Sequence, residues 1–124
     1  VTSVEFAICG SALTLFYAAI IGLAALAWAE TALQSVAADT ARCVALGNTA
    51  CSSAQQYAVS LAQQRIYAGA IATSDVAIAT AASCPGATGQ YAVVTITAHE
   101  WAAALTGPLL GQVVHAKACF PSHT

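Results

Sequence analysis

Phe6 to Ala29 reads FAICGSALTLFYAAIIGLAALAWA, 24 residues without a charge. About 20 apolar residues in a helix span the hydrocarbon core of a bilayer. Ser11 and Thr14 interrupt the run, and hydroxyls of this kind bond back to the carbonyls of the preceding helical turn. Outside the run, charge stays scarce. The 124 residues carry five Asp and Glu against three Lys and Arg, and only 6% are charged while 59% are hydrophobic. A soluble domain usually carries about 25% charged residues, so this chain has less surface charge than a soluble monomer needs. The bases are Arg42, Arg65 and Lys117, widely separated. Phosphate binding needs clustered cations, so no nucleic-acid partner is expected.

The flanks of the run restrict its role. Ala27-Trp28-Ala29 has the small-x-small pattern of a signal-peptide cleavage site. No Lys or Arg precedes the run, however, and the first residue is Val1 rather than Met. The expectation is a chain already trimmed that keeps its apolar segment. A plain membrane anchor is the simplest use of that segment. Glu5, at its mouth, asks for more, because a carboxylate inside an apolar assembly needs a counter-charge or hydrogen bonds. Thr2-Ser3-Val4-Glu5 fits a capping box with Thr2 as N-cap, and the positive end of a helix dipole also suits Glu5. The α-amino group of Val1, largely cationic at neutral pH, is a second partner for it.

Beyond the run, Leu33, Val36, Ala37, Ala41, Val44 and Ala45 recur at three- and four-residue spacings, with Glu30, Gln34, Asp39 and Arg42 between them. This predicts a continuing helix with one apolar face suited to a small domain, stopping at Gly47-Asn48. A helix of that length is a rod of roughly 70 Å. The first residues, VTSVEFAI, followed by the continuation ALQSVAADTAR at 32–42, resemble mature type IV pilins, more specifically the TadE/TadG-like branch. That resemblance implies cleavage by a prepilin peptidase before Val1, N-methylation there, and an assembly role for Val1 and Glu5. It also implies an apolar helix kept for polymerisation, with Phe6, Leu13, Phe16, Ile20, Leu23 and Leu26 in the filament core. Val1 stands where Phe or another hydrophobe is commoner, and Gly22 where many members have a helix-breaking proline. Gly10 and Gly22 are the flexible positions.

The predicted fold is α+β, a long N-terminal helix (1–47) followed by a small exposed domain (48–124). Ser52-Ser53 is suited to start a second helix reaching Tyr67, with Ala54, Tyr57, Ala58, Leu61 and Ala62 inward and Gly69 at its end. From Asp75 the period changes to two. Val76, Ile78, Thr80 and Ala82 form one side of a strand, Cys84-Pro-Gly-Ala-Thr-Gly89 is a turn, and Gln90–Ala98 is a second strand. After Gly107-Pro108, Val113–Phe120 fits a third strand, although Leu109–Val114 fits the start of a short helix equally well. Three antiparallel strands packed on helix follow.

Cys43, Cys51, Cys84 and Cys119 are an even number beyond the apolar run and read as two disulfides of an oxidising compartment. Three connectivities exist, of which Cys43–Cys51 and Cys84–Cys119 are favoured. Cys9 reads as a small buried thiol rather than a crosslink.

Chemistry is sparse. No CxxC occurs, and His99-Glu100 lacks the second histidine of HExxH because Ala103 stands there. His99, His115 and His123 read as surface or strand residues, and the nine aromatics as core and interface packing. No catalytic residue, metal site or cofactor is expected, and the chain is read as structural rather than enzymatic. The resemblance implies a self-associating subunit of a surface filament. It sits first in the bacterial inner membrane, is handled by pilus assembly machinery, and ends in a cell-surface pilus. The other readings are a minor pilin or pseudopilin of a related secretion system, and a monomeric membrane-anchored periplasmic binding domain.

Overall fold

The computed structural model describes residues 2–66, 71–98 and 114–122. Helix α1 (Thr2–Ala45) is unbroken over 44 residues. It contains no proline, so no backbone N–H is missing from its ladder, and it runs through Gly10 and Gly22 without interruption. Several of its hydroxyls bond back to the preceding turn. Ser11 donates to the carbonyl of Ile8 (2.9 Å), Thr14 to Gly10 (2.8 Å), Thr31 to Ala27 (2.9 Å) and Thr40 to Val36 (2.8 Å). Thr2 is already helical, one position inside the N-cap expected for it.

The helix stops where the sequence places the stop. Gly47 adopts φ +62°, a left-handed conformation that glycine enters without a Cβ clash. Its N–H donates to Val44 (3.1 Å), and that of Asn48 to Cys43 (3.5 Å), the two reversed bonds of a Schellman cap. A 3-10 turn (Thr49–Cys51) follows, with the Asn48 side chain accepting from the N–H of Ala50. The Cys43–Cys51 disulfide closes this corner across a Cα separation of 6.0 Å.

Helix α2 (Ala54–Arg65) returns along α1, with Ser53 at its N-cap position and only Ala58 and Ala62 fully buried. Ala54, Tyr57 and Leu61 are half-buried. It ends two residues before the expected Tyr67, with Ile66 as C-cap; Tyr67 and Gly69 lie outside the described residues. Arg65 binds Asp39 and Ser35 of α1. Because that ion pair is largely solvated, it orients α2 more than it stabilises it.

The sheet is antiparallel in the order β1 (Val76–Ala82), β2 (Tyr91–Ala98), β3 (Val114–Pro121). Strand β3 ends one residue later than expected; its expected start, Val113, lies with residues 99–113 outside the description, and of the Leu109–Val114 helix alternative only Val114 is described, in the strand. In β1 the strict alternation fails. Ala79 pairs with Val93 but Ala82 with Tyr91, so Thr80 and Ala81 together oppose one residue of β2. Ala81 takes φ +60° to make this bulge. An extra residue reverses the side on which the following ones lie. Ala82 therefore shares the outer face with its partner Tyr91, while Val76 and Ile78 belong to the core.

One face of the sheet packs on both helices. Val94, Ile96 and Ala98 of β2 and Ala116 and Ala118 of β3 meet Ala29, Leu33, Val36, Ala37 and Ala41 of α1 and Ala58 and Ala62 of α2. The interface is mostly alanine and valine, so helix and sheet backbones approach closely. Full burial of Leu33, Val36, Val94 and Ile96 contributes about 1.5–3 kcal/mol for each side chain. Two side-chain amides fix the register. Gln34 donates to the carbonyl of Lys117 (2.6 Å) and Gln55 to that of Val76 (3.1 Å). The Cys84–Cys119 disulfide joins the turn after β1 to β3.

Candidate assembly surface

Two halves of α1 live in different surroundings. From Leu26 onward the helix belongs to the core of the folded unit. Before that it stands clear of it. Its most apolar 18-residue window has no buried residue, and the helix is long and apolar enough to cross a membrane. Phe6 is 80% exposed and Phe16 63%, while Leu13, Ile20 and Leu23 are exposed with them. Monomeric soluble proteins rarely expose a contiguous apolar patch of more than a few hundred Å². A projecting helix of this composition far exceeds that, so the surface is built to be covered by lipid or by protein.

Of the residues named as the filament-core stripe, Leu26 differs from the rest, because it is half-buried against the core of the chain's own domain. Ala29, the last residue of the uncharged run, is fully buried there. The signal for this was present. Leu26, Ala29, Leu33, Val36, Ala37 and Thr40 follow one another at helical spacing, and the domain-facing stripe simply begins inside the apolar run. Thr40 is a core residue that the apolar spacing does not mark. It is tolerated because its hydroxyl is bonded to Val36, so burial leaves no polar group unsatisfied.

Glu5 is exposed, in the first turn of α1, where the unpaired N–H groups and the helix dipole favour a carboxylate. Val1 lies outside the described residues, and with it the amine expected to neutralise Glu5. Cys9 is a free thiol and exposed on the projecting helix, not buried within the chain as expected.

Elsewhere, described residues line two shallow open grooves. Glu30, Thr31, Gln34, Ser35 and Ala38 line one; Asp39, Arg42, Cys43, Leu46, Asn48 and Tyr57 line the other. Thr31 and Ser35 in the first donate their hydroxyls to carbonyls of their own helix, and Cys43 in the second is in a disulfide. Among the described residues no group of His, Cys, Asp and Glu has the geometry of a metal site. His115 is exposed on β3, with its Nδ1 3.5 Å from the Thr97 hydroxyl. His99, Glu100, Ala103 and His123 lie outside the described residues.

Comparison with known proteins agrees with this geometry. Residues 1–42 match the family model described as TadE-like protein. The match covers the projecting half of α1 and most of its packed half, and it associates this segment with the Tad pilus. No curated protein and no solved structure matches the chain.

Proposed function

We propose, on the premise of a TadE-like N-terminal segment, that the chain is a structural pilin subunit. It polymerises through the projecting half of α1 into a Tad-type surface filament. The observation that carries this reading is the division of one continuous helix. Its second half is locked to a disulfide-bonded domain, while its first half is unbroken, uncharged beyond Glu5 and uncovered. Head-to-tail contacts between such subunits do not close, so they generate a filament. Before assembly the same surface is covered by the inner membrane, and assembly exchanges lipid for neighbouring helices. Phe6, Leu13, Phe16, Ile20 and Leu23 form the filament core, with Glu5 and the Val1 amine balancing charge at the helix entrance. The domain of α2 and the sheet is displayed outward.

The test is electron microscopy and mass spectrometry of sheared surface material from cells expressing the chain. Filaments containing it as the dominant protein support a major subunit, and trace amounts within filaments of another protein indicate a minor pilin or pseudopilin. Recovery only as a detergent-solubilised monomer, with no filament, overturns the polymer in favour of an anchored binding domain.

A further inference from the structure

The bonds between helices and sheet fix which end of the domain faces the projecting helix. Gln55, at the start of α2, donates to the carbonyl of Val76. That end of the sheet therefore lies towards the C-terminus of α1, where Cys43–Cys51 holds the entry to α2. Gln34 meets the carbonyl of Lys117, midway along β3. From there β3 runs the opposite way to Pro121, which pairs with Tyr91, itself paired with Ala82. The strand from Lys117 to Pro121 covers about 13 Å. The same distance down α1 from Gln34 is about nine residues, which reaches Ala25. Independently, Leu26 is the outermost α1 residue packed on the core. The two estimates agree. The turn joining β1 to β2 lies level with the point where α1 leaves the domain.

The length left over is informative. Residues 6–25 are uncharged and rise about 30 Å as helix, the thickness of a bilayer's hydrocarbon core. No stretch of α1 remains to lift the domain off the lipid. Among the described residues this end of the domain is also uncharged, with no Asp, Glu, Lys, Arg or His from Val76 to Ala98 or from Ala118 to Ser122. Three aromatics sit around that level: Trp28, which is exposed, Tyr91, which is half-buried, and Phe120, which is half-buried against the core. Trp and Tyr concentrate at the headgroup level of membranes. Glu30, the first charge after Glu5, lies about one helical turn beyond Leu26 on the water side.

We infer that this end of the domain, the turn Ser83–Gln90 with Tyr91, Phe120 and Trp28, is a lipid-contacting surface. It seats the domain in the headgroup layer while the subunit is in the membrane. The inference deepens the membrane-inserted stage of the proposed function and rests on it. Seating fixes the domain relative to the bilayer, so the subunit is presented to a growing assembly in one orientation. Withdrawing it then requires releasing two contacts, helix and turn.

The test uses nitroxide labels on the full chain in vesicles of phosphatidylcholine and phosphatidylglycerol. Collision with a water-soluble nickel chelate and with oxygen reports the depth of each label. One label sits on native Cys9. In a Cys9→Ser background, Ala87→Cys places another on the turn and Gln56→Cys a third on α2; both positions are exposed. The expected result is a Cys9 label deep in lipid and a Gln56 label open to nickel. The Ala87 label should show a severalfold loss of nickel collision relative to Gln56, unchanged when protein is diluted in lipid. An Ala87 label as open as Gln56, with Cys9 still in lipid, overturns the seating and leaves insertion standing. Shielding of Ala87 that vanishes on dilution assigns the turn to a neighbouring copy and also overturns it. A Cys9 label open to nickel overturns insertion itself, and the seating with it.

Discussion

At the scale of single residues, Glu5 and Leu33 separate assembly from folding. Glu5 lies in the projecting half of α1, remote from every core residue. In the proposed filament its carboxylate would be buried as neighbours close around the helix, where an uncompensated charge is costly. Glu5→Ala is therefore expected to leave membrane insertion and disulfide formation unchanged and to lower the yield of sheared filaments severalfold. Glu5→Asp, which keeps the charge on a shorter stem, should fall between. Normal filament yield from Glu5→Ala would reduce the residue to a favourable charge at a helix N-terminus. Leu33 is the converse, only 1% exposed between helix and sheet. Leu33→Ala should lower the unfolding free energy by about 2–5 kcal/mol, read from denaturant titration in detergent. The shift should appear equally in a chain that carries Glu5→Ala, because sites this far apart without shared partners are additive.

The elements are joined by two staples of unequal reach. Cys43–Cys51 spans 8 residues and reinforces a corner already closed by the Gly47 cap, whereas Cys84–Cys119 spans 35 residues and ties the turn after β1 to the last strand. Constraint of the unfolded chain grows with loop length. The chain-entropy relation gives about 2.5 kcal/mol for the short loop and about 3.8 kcal/mol for the long one. Replacing both cysteines of the long bridge by alanine should therefore destabilise more than replacing those of the short one, by about 1 kcal/mol in paired denaturation curves. Peptide mapping without reductant should recover both pairs and a free Cys9. Free alkylation of Cys43, Cys51, Cys84 and Cys119 in the native protein would contradict the pairing and the oxidising compartment it implies.

For the molecule as a whole, the packing shows where the chain can be cut. Leu26, Ala29, Leu33, Val36, Ala37 and Ala41 supply one wall of the core, so the elements that follow α1 are built around its second half. A chain beginning at Ala25 removes only uncovered helix. It should fold, form both disulfides and behave as a soluble monomer by sedimentation and circular dichroism. A chain beginning at Asn48 loses that wall and Cys43 together. It should show no cooperative unfolding transition and should aggregate through the exposed inner face of its sheet. A cooperative transition in the shorter chain would mean that α1 contributes nothing essential to the fold.

Much of this protein is written locally. The uncharged run, the three- and four-residue spacing after it and the glycine at its end set one long helix, because helix formation depends on near neighbours and on a residue able to turn left-handed at Gly47. The change to alternating residues after Asp75 and the turn at Cys84–Gly89 mark the strands for the same reason. The carboxylate at Glu5 is legible as the one charge before a long apolar stretch. Tertiary structure alone decided which part of the apolar run belongs to the domain. Leu26 and Ala29 are as hydrophobic as the residues before them, and only the reach of β3 and the sheet face above them puts them in the core. It also decided the pairing of four cysteines among three possibilities, since which thiols meet depends on the return of α2 and on strand register. The bulge at Thr80 and Ala81 falls in the same class. A run of small residues specifies no register, so the side on which Ala82 lies is set by its partner Tyr91 across the sheet.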